Sequence, residues 1–289
     1  MKIGITGATG KLGRHVISKL KTKVDHDNIV ALVRSVPAAT DLGIEAREAD
    51  YDKSNTLTSA LEKIDTLLLI SANEIGKRRV QHENVVEAAK KAGVKWIVYT
   101  SLLRADKSPL SLASEHVATE EALKKSGIPF TFLRNGWYNE NYDEAIRNSV
   151  ASGIYLGSAG GGKVSSAARV DYAEAAVAVL TTPGHEGRIY ELAGDTAWTY
   201  EDLAAEISRV SGREVSYKNL TGEEYAAELK KSFGYPDEVA KFVAGMDVAI
   251  SKDALFDDGH QLNKLIGRST TPMPDAIAQV LRLQQSPIL

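Results

Sequence analysis

Residues 2–13 read KIGITGATGKLG, and the fold of the chain is decided there. Ile3, Ile5 and Thr6 form a short, apolar, partly β-branched run of the kind a buried strand requires. The run enters three glycines spaced three apart, Gly7, Gly10 and Gly13. A helical apolar pattern (Leu12, Val16, Ile17, Leu20) overlaps and follows them. Such a turn lets the backbone approach a bulky anion with no Cβ in the way. The helix then aims its free N–H groups and the positive end of its dipole at that anion, for which a dinucleotide pyrophosphate is the usual occupant. The spacing is G-x-x-G-x-x-G rather than the G-x-G-x-x-G of the dehydrogenase fingerprint, so the glycines alone leave open a plain strand-to-helix turn.

Outward from this stretch the chain alternates. Strands are expected at 28–33 (NIVALV), 45–49, 66–70 (TLLLI), 95–100 (KWIVYT) and 130–133, with helical spacing over 54–61, 80–92 and 115–125 between them. This βα rhythm predicts an α/β fold, a Rossmann-like doubly wound parallel sheet over residues 1–135. After Asn135 the rhythm loosens. Residues 153–169, rich in Gly and Ser, carry too little apolar content for a core element and read as a loop or hairpin near the site. A helix at 171–180, a strand at 188–192, a helix at 200–210, a strand at 214–220 and short helices beyond suggest a smaller mixed α/β lobe over 136–289. A return strand near 188–194 is free to join the first sheet. Ligands of open α/β sheets sit beyond the carboxyl ends of the strands, which places the cleft between the lobes.

Composition excludes much. The 289 residues carry a net charge of −3, with no basic tract interleaved with aromatics, so no nucleic-acid surface is expected. There is no cysteine, which removes disulfides, thiolate nucleophiles and iron–sulfur clusters. The six histidines show no paired ligand spacing, so no metal is expected. Nothing approaches the roughly 18 apolar residues of a membrane span, and no secretory signal is visible. The expectation is a soluble cytoplasmic protein.

Arg34 stands at the end of the second strand, where an NAD-specific site places a carboxylate for the ribose 2′-hydroxyl. A guanidinium there would pair with a 2′-phosphate, and a charge-assisted hydrogen bond contributes on the order of 1.5–3 kcal/mol. The reading favours NADPH over NADH; a solvated surface arginine is the plainer alternative. Asp50, ending the third strand, either accepts from an adenine amino group or forms the turn. Small Ser71 and Ala72, with Asn73 and Glu74, follow the fourth strand, where a nicotinamide ribose would pass. Ser101 ends the fifth strand, the place of the serine in a Ser/Tyr/Lys site, yet Tyr-x-x-x-Lys occurs nowhere in the chain. His116 is the candidate proton donor in its place, or a histidine satisfied on a helix flank. Residues 135–141 (NGWYNEN) set two amphipathic aromatics among hydrogen-bonding side chains, either a lining for a flat aromatic ligand or a packed helix start.

Together with VALVR (30–34), YTSLLRAD (99–106), SPLSLASEH (108–116), TFLRNGWYNEN (131–141) and FDDGHQLNKLIG (256–267), these pieces resemble the NmrA-like branch of the atypical short-chain dehydrogenases/reductases. Within it, the bacterial type 2 NADPH:quinone oxidoreductases are most similar, over essentially the whole length. The resemblance implies NADPH held through Gly7, Ala8, Thr9, Gly10, Lys11, Leu12 and Arg34. It further implies contacts from Ser71, Asn73 and Glu74, from Gly136, Trp137, Tyr138, Asn139, Glu140 and Asn141, and from Arg169. A quinone or similar planar electron acceptor would enter between the lobes, and the branch lacks the Tyr-x-x-x-Lys relay. Triphenylmethane dye reductases are similar in the same places, and NmrA-like redox-sensing regulators hold the nucleotide without turnover. An enzyme reducing quinone with NADPH, as a monomer or homodimer, is the expectation carried forward.

Overall fold

The structure, a computed structural model, describes residues 1–285. In chain order its strands and helices are β1 (Ile3–Thr6), α1 (Lys11–Leu20), β2 (Ile29–Val33), β3 (Glu45–Glu48), α2 (Ser54–Ala60), β4 (Thr66–Leu69), α3 (Arg78–Ala92), β5 (Trp96–Leu102), α4 (Ala113–Ser126) and β6 (Phe130–Asn135). There follow α5 (Asp143–Ser152), β7 (Ile154–Gly157), α6 (Arg169–Thr181), β8 (Ile189–Leu192), α7 (Tyr200–Ser211) and β9 (Ser216–Asn219). The last helices are α8 (Gly222–Phe233), α9 (Asp237–Ile250), α10 (Gln261–Ile266) and α11 (Met273–Gln285).

Seven strands form one parallel sheet in the order β3-β2-β1-β4-β5-β6-β8. It is the doubly wound α/β sheet read from the alternation. β1, β2 and β4 are buried along their whole length, which is why they are unbroken apolar runs; β3, reading Glu-Ala-Arg-Glu, tolerates charge because it is an edge. The winding reverses between β1 and β4, and the crevice beyond their carboxyl ends is where such sheets hold ligands. Two apolar layers cover the sheet. One packs α1 and α6 on it through Val16, Ile17, Ala173 and Val177; the other packs α2, α3 and α4 through Leu57, Val85, Ala89 and Leu123. The chain beyond Asn135 thus returns to the sheet twice, as α6 and as β8 beside β6.

A third apolar cluster joins α5, α7, α9 and α11 around Tyr142, Tyr155, Trp198 and Tyr200. The stretch 153–169, read from its composition as a loop or hairpin near the site, runs through this cluster as a short strand and a largely buried loop. Residues 154–157 pair in parallel with β9, and Ser165, Ser166 and Ala167 are buried. The reason is close backbone approach. A Cβ on Gly162 would lie 2.0 Å from the Ile250 carbonyl oxygen, and one on Gly194 would lie 1.9 Å from that of Ser166. Small residues here serve packing rather than mobility.

Candidate functional site

A cleft of about 530 Å³ lies at the reversal point. It gathers Gly7, Thr9, Gly10, Lys11, Leu12 and Gly13 from the β1–α1 turn, Arg34 and Asp50 from beyond β2 and β3, Ser71, Asn73 and Glu74 from beyond β4, and Tyr138 and Arg169 from the later chain. The turn leaves room for an anion. Gly7 takes a left-handed φ of 58°, and a Cβ on Gly13 would sit 2.3 Å from the Gly7 carbonyl oxygen, so that α1 could not approach β1 so closely. Gly10 caps α1 without a side-chain hydrogen bond, and no acidic residue stands in the first turn, leaving its N–H groups open toward the cleft. Ala8 is fully buried in the core beneath this turn and does not line the cleft.

Cations face the open helix end. Lys11 and the largely buried Arg169 line the cleft, and neither pairs with a carboxylate side chain among the described residues. The Arg169 guanidinium lies 4.8 Å over the Tyr138 ring, a cation–π contact that fixes its direction. Its own backbone N–H is held by both Glu140 carboxylate oxygens, at 2.9 and 3.0 Å, at the start of α6. Arg34 reaches in from beyond β2, with Nη1 3.2 Å from Glu74 Oε1. Asp50 behaves as a turn-former: Oδ1 accepts the Asp52 N–H at 3.1 Å, and Oδ2 lies 3.4 Å from Lys53 Nζ.

Side chains hold four of the amides in the loop after β4. Ile70 N–H donates to Thr6 Oγ1, Ser71 N–H to Thr100 Oγ1 and Ala72 N–H to His82 Nε2, each at 2.9 Å. Arg78 Nε donates to the Ala72 carbonyl at 2.8 Å, and Glu115 accepts from Gly76 N–H and from Arg78. Because His82 Nε2 accepts, its proton sits on Nδ1 and is given to Thr119 Oγ1 at 2.9 Å. Burial, reinforced by the Arg78 charge, pushes the His82 pKa down to about 3, so the imidazole stays neutral in this role. None of these supports was legible in the sequence, since they join segments far apart along the chain. Tyr51 and Gln81, also in the lining, were missed for the same reason. Gln81 gives its amide N–H groups to Asp52, which leaves Oε1 buried with no partner among the described residues.

The structure places the expected proton donor and serine away from this lining. His116 is buried, its Nδ1 2.8 Å from the Tyr99 hydroxyl, and burial, then the Arg78 charge, pushes its pKa down to about 3. Ser101 Oγ donates to Glu120 Oε1 at 2.7 Å. Glu120 is itself gripped by Nε and Nη2 of Arg134, whose Nη1 binds Asp106 at 2.8 Å and Glu191 at 2.9 Å. The serine therefore anchors a buried ion cluster between β5, α4 and β6.

Of the segment 136–141, Tyr138 alone lines the cleft. Gly136 donates its N–H to the Leu192 carbonyl at 2.7 Å, beside which a Cβ would crowd at 3.0 Å. The Trp137 carbonyl accepts from Ala167 N–H and Tyr172 Oη, while its ring packs on the third cluster. Asn139 is buried between Ser166 and the Thr271 carbonyl, and Asn141 is exposed. The segment acts mainly as a seam joining the cleft to the rest of the chain.

No cluster of His, Asp or Glu that could hold a metal exists among the described residues, and none of their helices is long and apolar enough to cross a membrane.

Comparison with known proteins agrees with this geometry. The NmrA-like family profile matches residues 1–277. Quinone oxidoreductase 2 of Escherichia coli K12 is 51% identical over 97% of this chain and 99% of its own. The crystal structure of the NADPH-dependent quinone oxidoreductase from Escherichia coli, complexed with NADPH, superposes with a TM-score of 0.94 over 96% of this chain and 99% of that one. Citrobacter triphenylmethane reductase complexed with NADP(H) is 40% identical, with a TM-score of 0.93 over 96% of this chain and all of that one (100%).

Proposed function

The chain belongs to the NmrA-like family, and on that premise we propose that it is an oxidoreductase reducing a quinone at the expense of NADPH. The observation that carries the reading is the set of three cations, Lys11, Arg34 and Arg169, around an uncapped helix end with a left-handed glycine turn. Open N–H groups with Lys11 and Arg169 suit a pyrophosphate, and Arg34 suits a 2′-phosphate. When bound, NADPH supplies the hydride that reduces the acceptor.

What the chain itself contributes is placement. Its pinned 70–76 loop and the Tyr138–Arg169 pair give the dinucleotide a fixed bed, so orientation rather than a dedicated acid carries the rate. Burial raises the pKa of the Tyr51 and Tyr138 hydroxyls, which keeps these cleft phenols protonated at neutral pH. An electron-poor quinone makes little demand on a side-chain acid, because its reduced oxygen can take a proton from water. We assign cofactor holding to the seven-stranded body with α1 and α6, and acceptor entry to the side where the third apolar cluster abuts it.

Mixing purified protein, NADPH and a short-chain benzoquinone should bleach the reduced nicotinamide absorbance in proportion to enzyme. No enzyme-dependent loss with any benzoquinone, alongside turnover of a triphenylmethane dye, would assign the same site to dyes instead.

A further inference from the structure

Arg34 and Glu74 stand on opposite sides of the glycine turn. Arg34 follows β2 and Glu74 lies in the loop beyond β4, and these strands flank β1. Their ion pair, Nη1 to Oε1 at 3.2 Å, therefore bridges across the end of β1, and both side chains line the cleft. The second oxygen of Glu74 faces Lys77 Nζ at 3.3 Å. The guanidinium that suits a 2′-phosphate thus already holds an anion supplied by the protein.

We propose that Glu74 is a built-in competitor of the 2′-phosphate for Arg34 and sets how tightly phosphorylated nicotinamide dinucleotides are held. The inference rests on the reading of the cleft as an NADPH site. A phosphate monoester carries about −1.5 to −2 charge at neutral pH, against one unit on a carboxylate, and a guanidinium grips it through two parallel N–H···O bonds. The phosphate wins the exchange, but only by opening the pair. Lys77 stays beside Glu74 when Arg34 leaves, so the displaced carboxylate keeps a counter-charge and the exchange is inexpensive in both directions. NADPH and NADP⁺ carry the same phosphate, so Glu74 loosens both and speeds release of the oxidised product. NADH brings no group to the exchange and leaves the pair closed.

Calorimetric titration of NADPH, NADP⁺ and NADH into the wild type, Glu74→Gln, Arg34→Ala and the double variant tests this. Expected for Glu74→Gln is binding of NADPH and NADP⁺ tightened about two- to fivefold, the range of an exposed ion pair, with NADH unchanged. The tightening should vanish when Arg34 is absent. Weaker or unchanged NADPH binding in Glu74→Gln, equal tightening of NADH, or tightening that survives Arg34→Ala would each overturn the proposal. The Arg34→Ala single variant reports separately on the reading beneath it: retention of full preference for NADPH there would remove the 2′-phosphate role itself.

Discussion

Ala72 gives its amide N–H to Nε2 of His82 at 2.9 Å, while its carbonyl takes a hydrogen bond from Arg78 at 2.8 Å. Both main-chain polar groups of one residue in the cleft are therefore held by side chains from α3. In a loop with no ladder of its own, this fixes the direction in which Ser71 and Glu74 enter the cleft.

His82→Ala should leave the Ala72 N–H unpaired and cost about 1–3 kcal/mol of stability. NADPH affinity should fall with it, and His82→Gln, whose amide oxygen can reach the same N–H, should recover most of the binding. Thermal melting and calorimetry on the two variants check this. If neither variant departs from wild type, the imidazole does not position the loop.

Arg34→Ala should weaken NADPH about tenfold or more, as loss of a charge-assisted contact to phosphate implies, and leave NADH nearly unchanged. Dissociation constants for both nucleotides decide it. Equal losses for the two would mean that the guanidinium acts on something other than the 2′-phosphate.

His116→Ala should reduce the rate with quinone less than about tenfold, well short of the roughly 10²–10⁴ of a general acid. The rate should also show no inflection near the ordinary histidine range, because burial has pushed the His116 pKa down to about 3. Steady-state kinetics between pH 5 and 9 on wild type and variant test both statements, and a hundredfold loss would restore the histidine to the chemistry.

Asp247 predicts a pH effect remote from the cleft. It is buried, accepts from the Tyr200 hydroxyl at 2.7 Å and from Ser158 N–H at 2.9 Å, and burial raises its pKa to about 6. A folded-state pKa above the unfolded value of about 4 means that the folded chain holds the proton more firmly. The associated stability is fully present below about pH 4 and lost as pH rises through about 6, a change on the order of 3 kcal/mol. Asp247→Asn should flatten that part of the stability profile. Melting temperatures measured from pH 4 to 7 would show it, and an unchanged slope in the variant would assign the titration elsewhere.

Part of this architecture was legible along the chain because it is local. The β1–glycine–α1 unit is contiguous, its apolar periods change from strand to helix within a few residues, and a Cβ at Gly13 would clash with a carbonyl only six positions away. Arg34 was readable because the place of the second strand's end follows from the first. The partners of those residues were not. His82 reaches Ala72, Glu115 reaches Gly76, and Glu74 reaches Arg34 only because the fold sets β2 and β4 on either side of β1 and packs α3 against α4. Ser101, at a strand end, and His116, on a helix flank, were candidates for the chemistry, yet Glu120 and Tyr99 hold them away from the cleft. The glycines and serines of 153–169 looked loose because composition reports side-chain bulk but not how near another backbone comes. Sequence by itself determined the alternation, the glycine turn from strand to helix and the sign of the charge beside it, since these depend on neighbouring residues and their period. Which polar group meets which, and so which of them remain free to touch a ligand, was decided by tertiary packing, because hydrogen bonds and ion pairs form across distances in sequence that no local pattern records.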